Sequence, residues 1–227
     1  MRLKKIFFIV LAATLGLVAC RDDVTEDYTY RGKEYYPLRL GAERFYFLDS
    51  VHYSRILNKV SYYKYRVREV IADSFLDQSG KLTYRLEQYI SRDTGRSYQF
   101  YDLLTTSVDE YGIQRESDNR RQQIMSFPIR NQRSWYPFFY WNDSFQTSTR
   151  YQYTAVGKPY SNSWFNFDDC VFVKQRYDST FIFIRENREI YGKQYGMVYR
   201  LKKDLDFQVP NQPDGFVVTW KLYEFYP

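Results

Sequence analysis

Few residues of this 227-residue chain could support covalent chemistry: two cysteines, one histidine and scattered carboxylates. A nucleophilic cysteine needs a nearby base, and the only histidine that Cys170 could use is His52. A hydrolytic site could instead combine His52 with a serine and an acid. Cys170 follows Asp168 and Asp169 in a strand-like segment, where a small buried apolar residue is the simpler interpretation. Adjacent acids point to opposite faces of a strand, so these two cannot act together on one glycosidic bond.

No motif of a known reaction accompanies these residues. The sequence has no cluster of cysteines and histidines with metal-ligand spacing, no glycine-rich phosphate loop and no Gly-x-Ser-x-Gly elbow. We therefore predict that the protein is not an enzyme and that it has no catalytic residues, no metal and no cofactor.

The second cysteine, Cys20, lies in a very different setting. Three of the first five residues are basic, and residues 6–19 carry no charge. This stretch is shorter than the roughly 20 apolar residues that a membrane-spanning helix needs. Its end, with Leu17, Val18 and Ala19 before Cys20, resembles the lipobox of bacterial lipoproteins. The resemblance implies that residues 1–19 are a cleaved signal peptide and that the Cys20 thiol receives diacylglycerol. An ordinary cleavage site after Ala19, with an accidental cysteine, is the alternative.

Acylation of Cys20 would place the protein on a membrane, because each buried methylene contributes about 0.8 kcal/mol. The next residues, Arg21, Asp22 and Asp23, resemble the signal that sends lipoproteins of the Bacteroidota to the outer face of the outer membrane. A charged, solvated start to a linker is the alternative. We predict a lipid-anchored protein of the outer membrane, on its periplasmic or its cell-surface face, with residues 20–33 as the lipidated N-terminus and tether.

The charge of the chain argues against a nucleic-acid partner. Lys and Arg number 33 against 27 Asp and Glu, which gives a net charge of +6. Loss of the three basic residues of the signal leaves 30 against 27, a net charge of only +3. The charges also alternate in sign along the chain instead of forming a basic tail. We therefore expect no nucleic-acid binding.

The remaining sequence has the pattern of a β protein. Stretches rich in Tyr, Phe, Val and Ile alternate with Asp, Asn, Ser and Gly from residue 45 onward, which is typical of strands and turns. The predicted strands are residues 44–53, 62–73, 82–91, 97–108, 123–129, 151–156, 169–176, 180–185, 197–202 and 216–225. Turn residues at 77–80, 93–95 and 177–179 are close enough in sequence for hairpins, so neighbouring strands should be antiparallel.

Two further local predictions follow from this pattern. In the third strand, one face has period-2 apolar spacing and should be buried; its residues are Leu82, Tyr84, Leu86 and Ile90. One short helix or turn is predicted over residues 186–192. The whole is predicted to be an all-β, mainly antiparallel single domain over residues 34–227, either a sandwich or a strongly curved half-barrel with little helix.

Residues 35–41, 45–50 and 189–199 resemble stretches of β-rich envelope lipoproteins of the Bacteroidota that have no established activity. The resemblance implies location and fold, and it adds no mechanism. Gly41 and Gly196 would serve backbone turns. Arg44 and Phe45 stand where that family often has Trp, a change expected to alter packing and not chemistry.

A dense aromatic run surrounds Pro137 and suggests a binding role. Its members are Trp135, Tyr136, Phe138, Phe139, Tyr140 and Trp141. A strand buries alternate residues on one face, so several of these rings must face elsewhere. They could form an exposed patch that binds a sugar, a lipid interface or a protein, or they could close the edge of the sheet and complete the core.

Two functions remain open at this stage. The first is a noncatalytic envelope lipoprotein that binds another outer-membrane protein or a glycan through the aromatic run. The alternative is a carrier or chaperone that holds a lipid or an outer-membrane protein in an apolar cup of the sheet.

Overall fold

The computed structural model describes residues 32–92, 97–117, 119–138, 149–209 and 212–227. These ranges contain twelve strands and one short 3-10 helix, Lys33–Tyr35. The strands are β1 (Glu43–Ser54), β2 (Lys59–Leu76), β3 (Leu82–Ser91), β4 (Gln99–Val108), β5 (Gly112–Ser117), β6 (Arg120–Ser126), β7 (Ser134–Trp135), β8 (Tyr151–Ser161), β9 (Asn166–Ser179), β10 (Phe183–Gly192), β11 (Gly196–Asp206) and β12 (Asp214–Tyr226). Across the same ranges, no helix combines the length and the apolar character that crossing a membrane would require.

All twelve strands belong to one antiparallel sheet with β1 and β12 side by side at its centre. From this central pair the order runs outward through β2 to β6 on one side and through β11 to β7 on the other. Strands that are consecutive in sequence are neighbours in the sheet except for β6 and β7, which lie at its two edges. The predicted all-β, antiparallel fold is confirmed, and the curved single sheet is found in place of the sandwich.

The sheet curls into a nearly closed, barrel-like shape around its main hydrophobic core. A single cluster of buried side chains includes Ile124 and Met125 of β6 together with Tyr151 and Tyr153 of β8. These strands lie near opposite edges of the sheet, so they can share a core only because the edges approach each other. Burial of apolar surface inside the curled sheet is the main favourable contribution to this shape.

Side chains bridge the two edges, where the described strands β6 and β7 have no backbone ladder. The Tyr153 hydroxyl accepts a hydrogen bond from the Ser126 N–H and donates one to the Ser126 carbonyl, both at 2.8 Å. The Trp135 indole N–H donates to the Gln123 carbonyl at 2.9 Å. Backbone groups that would otherwise be left unpaired at the edge are thereby satisfied.

Three local predictions were wrong or incomplete. Residues 186–192, predicted as a helix or turn, are part of β10, which pairs on both sides with β9 and β11. Strands β5 and β7 were not predicted. Strand β7 has only two residues, and β5 is mostly polar, so neither has a run of alternating apolar residues. The chain reverses between β9 and β10 at residues 180–182, later than the predicted turn at 177–179.

The predicted buried face of β3 is only partly buried. Leu86 lies in the core, and Tyr84 and Ile90 pack against core residues. Leu82, in contrast, is 48% exposed. It is the first residue of β3, where the strand begins at the margin of the core, so the alternation in sequence continues further than the buried surface does.

Candidate functional site

The interior of the curled sheet contains a buried carboxylate between two arginines. Glu189 of β10 is 1% exposed. Its Oε1 atom accepts from Arg200 Nε at 2.7 Å and lies 3.3 Å from Arg115 Nη2, and the Tyr191 hydroxyl donates to Oε2. Burial raises the pKa of Glu189, but the two arginines and the hydrogen bonds from Tyr191 and Arg200 outweigh burial and lower it to about 2. Glu189 is therefore ionised at any physiological pH.

A second buried ion pair joins β1 to β2. Arg44 is 1% exposed, and its Nη1 atom lies 3.3 Å from Glu69 Oε1. Arg44 also donates to the carbonyls of Tyr195 and Pro37, each at 2.7 Å. Gly196 has a φ of 86°, and a Cβ at this position would lie 2.8 Å from Arg44 Nε. Gly196 therefore serves a backbone turn, as predicted, and also leaves room for the guanidinium. Arg44 contributes a charge interaction beyond the change in packing that the sequence predicted.

A cup opens in the interior at the end of the sheet where the β1–β2 and β11–β12 hairpins reverse. Its volume is about 560 Å³, within the roughly 300–1,000 Å³ typical of ligand pockets. Strands β1, β2, β3, β4, β11 and β12 supply its wall. Much of this wall is aliphatic or aromatic, formed by Leu48, Tyr65, Ile90, Phe216, Val218 and Trp220.

The charged residues of the described wall are all cationic: Arg92, Arg200 and Lys202. The Lys202 ammonium lies 5.6 Å from the ring centre of Phe216, and the Arg200 guanidinium lies 5.2 Å from that of Trp220. Both distances are within the range of cation–π attraction. Among the described residues, Arg92 and Lys202 have no ion-pair partner.

The structure does not bring together the two residues that could have formed a nucleophile and its base. His52 is exposed at the mouth of the cup and contacts the rings of Tyr63 and Phe216. Cys170 is fully buried on β9 beside Gly192, at the other end of the sheet. Burial raises the pKa of the Cys170 thiol to about 12, with a smaller contribution from nearby carboxylates, so the thiol is protonated at neutral pH.

A serine does lie near the histidine, because Ser50 and His52 both line the cup. A hydrolytic triad also needs an acid that orients the histidine. No Asp or Glu is among the residues that form the described wall. Metal chemistry has no visible site either, since no group of three His, Cys, Asp or Glu side chains in the described ranges could hold an ion.

The described part of the aromatic run is divided between the core and the surface. Trp135 is 7% exposed, and its ring centre lies 4.5 Å from that of Tyr153. Tyr136 is 42% exposed and lies beneath the Arg150 guanidinium at 4.7 Å. Phe138 is partly buried, with its ring centre 6.2 Å from that of Tyr151. Trp135 thus completes the core at the sheet edge, whereas Tyr136 faces solvent.

Several predicted site residues lie outside the described ranges. These are Leu17, Val18, Ala19, Cys20, Arg21, Asp22 and Asp23 at the N-terminus, and Phe139, Tyr140 and Trp141 of the aromatic run. Their roles stay predictions. Of the predicted tether, residues 20–33, only the last two residues are described.

The cup and its cations were not predicted from the sequence. One signal was present: Arg200 and Lys202 are two positions apart on a predicted strand, so they must share a face. The sequence around them does not show that this face is the inner one. Leu201, which lies between them and points to the opposite face, is more apolar, so the sequence alone would place Leu201 inside. The inner face becomes evident only when Arg200 is seen opposite Trp220 of β12.

Comparisons with known proteins identify no family. No protein-family model matches the chain, and no curated protein matches it in sequence. Two solved structures match over 85% of this chain and 98% of their own. One, from Bacteroides fragilis, is provisionally described as an exported protein with a YmcC-like fold, at 9% identity and a TM-score of 0.43. The other, from Parabacteroides distasonis, is provisionally described as a lipoprotein, at 12% identity and a TM-score of 0.46. Likeness at this level carries no argument about function.

Proposed function

We propose that this domain is a noncatalytic binding protein that holds an amphiphilic ligand in its interior cup and is carried at the cell envelope on an acylated Cys20. The observation that supports the binding role is the cup of about 560 Å³ with its largely apolar wall. An acyl chain that enters such a cup removes apolar surface from water, which is favourable in proportion to the area buried. This is the carrier role that the sequence offered as the alternative.

The inner part of the wall of the cup is held in place by packing and by an ion pair. Leu48 and Trp220 are both buried, and the Trp220 ring lies edge-on to Tyr46 at 5.7 Å. At the inner end of the cup, Arg200 is held by Glu189. A preformed site avoids the entropic cost of ordering loops and side chains when the ligand binds.

The test compares two tryptophan substitutions at adjacent positions of β12. Val218 lines the cup, and Val217 points to the opposite face because side chains alternate along a strand. Val218→Trp should fill the cup and abolish binding of a long-chain alcohol, measured by displacement of a fluorescent apolar dye. Val217→Trp should bind as the unmodified protein does. Equal binding by all three proteins would exclude the cup as the site.

Native mass spectrometry gives an independent test of the same proposal. Protein purified gently from its own host should carry an added mass that extraction with organic solvent removes and that the Val218→Trp variant lacks. An added mass retained by that variant would place the bound molecule elsewhere, which contradicts the proposal.

Surface binding through the aromatic run is the second candidate function. It is favoured by Tyr136, which is exposed and lies beneath Arg150, because an aromatic ring at the surface can stack on a sugar or on a partner side chain. A glycan array and co-purification with outer-membrane proteins, each done with the unmodified protein and with Tyr136→Ala, would test it. Binding that the substitution leaves unchanged would exclude Tyr136.

The proposed location depends on the lipobox resemblance of Leu17, Val18 and Ala19 before Cys20. Labelled palmitate should be incorporated by the unmodified protein and not by Cys20→Ser.

For the export signal, protease treatment of intact cells should degrade the unmodified protein. It should spare a variant in which Asp22 and Asp23 are replaced by Ala; equal protection of both proteins would reject surface exposure.

A further inference from the structure

We propose that the cup selects amphiphiles with an anionic head, a carboxylate or a phosphate on an acyl chain, and that Lys202 and Arg92 bind this head at the mouth. The inference deepens the proposed function and rests on it. It names the chemical class of the ligand and the residues that discriminate for it.

The charge that faces the cup is positive. Arg92, Arg200 and Lys202 line the cup, and no carboxylate is among the described residues of its wall. Two lysines on the outer face of the sheet are paired with carboxylates. Lys203 of β11, the neighbour of Lys202, lies 4.0 Å from Glu186. Lys221 of β12 similarly lies 3.8 Å from Asp49. Among the described residues, Lys202 differs from these two lysines in having no carboxylate within ion-pair distance.

The buried carboxylate of Glu189 does not neutralise this charge. Glu189 is the acid that contacts Arg200, and it also contacts Arg115. One carboxylate between two guanidiniums leaves a surplus of one positive charge at the inner end of the cup. This surplus adds to the charges of Arg92 and Lys202, and in a partly desolvated cup they attract an anion more strongly than they would in water.

The positions of the cationic and the apolar residues determine the direction in which the ligand enters. Arg92 and Lys202 are exposed, so they lie at the mouth, while Leu48 and Trp220 lie buried further inside. Arg200 is already held by Glu189 through its Nε atom and lies against the ring of Trp220. An anionic head at the mouth would pair with Arg92 and Lys202, which have no ion-pair partner in the described ranges, while the chain directed inward would cover the apolar wall. Charge-assisted hydrogen bonds of this kind are roughly twice as strong as neutral ones.

The experiment compares ligands with one chain and different heads. Hexadecanoate, hexadecyl phosphate and hexadecanol each have sixteen carbon atoms in an unbranched chain, and only the first two are anions at neutral pH. We expect both anions to bind at least about tenfold more tightly than the alcohol at low salt. We also expect that difference to shrink as the salt concentration rises. The tighter of the two anions shows whether the site prefers a carboxylate head, as in a free fatty acid, or a phosphate head, as in a phospholipid.

The variants test the residues. The double substitution Arg92→Ala and Lys202→Ala should weaken binding of both anions about tenfold or more and leave binding of hexadecanol unchanged. Lys203→Ala is the control for Lys202→Ala, since it removes one lysine charge from the outer face of the same strand, β11, and it should change nothing. Thermal unfolding should have the same midpoint in all three proteins, because the side chains replaced are not buried.

The outcomes separate the inference from the proposed function. Equal binding of the alcohol and the anions, or a head-group preference that survives the double substitution, overturns the inference and leaves the cup as an apolar site. Binding of inorganic phosphate without any binding of hexadecanol overturns it as well, because the ligand would not be an amphiphile. If none of the three alkyl compounds binds, the proposed function itself fails.

Discussion

Glu189 and Arg200 face each other across the β10–β11 hairpin, with 2.7 Å between Oε1 and Nε. Arg115 approaches the same oxygen from β5, on the far side of the interior. The three side chains therefore connect strands that are not neighbours in the sheet. A charge interaction of this kind holds the two halves of the curled sheet in one arrangement, in addition to the apolar core.

Replacing the carboxylate by an amide should reveal how much this connection stabilises the fold. Glu189→Gln keeps the volume of the side chain but leaves Arg115 and Arg200 without their shared counter-ion. Removing one partner of a buried ion pair typically costs about 3–5 kcal/mol. We expect the free energy of unfolding, measured with urea, to fall by about this amount.

Glu116→Gln is the control for this measurement. Glu116 pairs with Arg121 at 3.2 Å on the surface, where Arg121 is exposed and Glu116 is partly exposed. Surface ion pairs contribute about 0–1 kcal/mol, so the change should be small. Equal effects of the two substitutions would mean that the buried network contributes no more than an exposed one.

The same carboxylate predicts how stability depends on pH. The pKa of Glu189 falls from an ordinary 4.5 to about 2 in the folded protein, so the unfolded state takes up a proton at a higher pH than the native state does. The stabilisation is therefore complete above about pH 5 and is lost as the pH falls toward 2. This difference in the pKa of Glu189 between the unfolded and the folded protein corresponds to about 3 kcal/mol of stability. Urea unfolding from pH 6 to pH 2.5 should show a smaller loss in Glu189→Gln than in the unmodified protein; parallel curves would contradict this assignment.

The fold class could be predicted because it depends on local signals. Alternating Tyr, Phe, Val and Ile between turn residues predicts strands, and close spacing predicts hairpins, so an antiparallel sheet follows. Most predicted strands overlap an observed one. Residues 186–192 were misread because Glu189 and Arg188 interrupt the apolar alternation; Glu189 faces inward nonetheless, because Arg115 and Arg200 neutralise it.

The candidate site could not be predicted because it depends on which strands meet. Arg92 and Lys202 are 110 positions apart in sequence, and Arg115 and Glu189 are 74 apart. Curling of the sheet brings each pair to the same interior. Arginine and lysine side chains are usually solvated. A strand face that carries them is therefore predicted to point outward, and no local pattern indicates the exceptions.

The bridge between the sheet edges should respond to the loss of one hydroxyl. Tyr153→Phe leaves the Ser126 N–H and carbonyl without the partner that lies 2.8 Å from each. A buried backbone group without a partner costs about 1–3 kcal/mol. We expect a stability loss of this size and faster hydrogen exchange of the Ser126 amide. Tyr177→Phe, at a residue that is 64% exposed, should change neither quantity.

Cys170 should be unreactive while the protein is folded. Its pKa of about 12 leaves almost no thiolate at pH 8, and its side chain is fully buried. Iodoacetamide should leave the Cys170 peptide unmodified in native protein and alkylate it fully in guanidinium chloride, as measured by peptide mass spectrometry. Rapid alkylation of the native protein would show that the thiol is accessible and would reopen a nucleophilic role.

The aromatic run predicts opposite results for two adjacent residues. Trp135 donates an indole hydrogen bond to the Gln123 carbonyl and packs on Tyr153, so Trp135→Ala should lower the free energy of unfolding by about 3–5 kcal/mol. Tyr136 is exposed, and Tyr136→Ala should lower it by no more than about 0.5 kcal/mol. Urea unfolding of both variants measures the difference. A large loss in Tyr136→Ala would show that this side chain supports the fold, and the variant could then no longer serve as a clean test of surface binding.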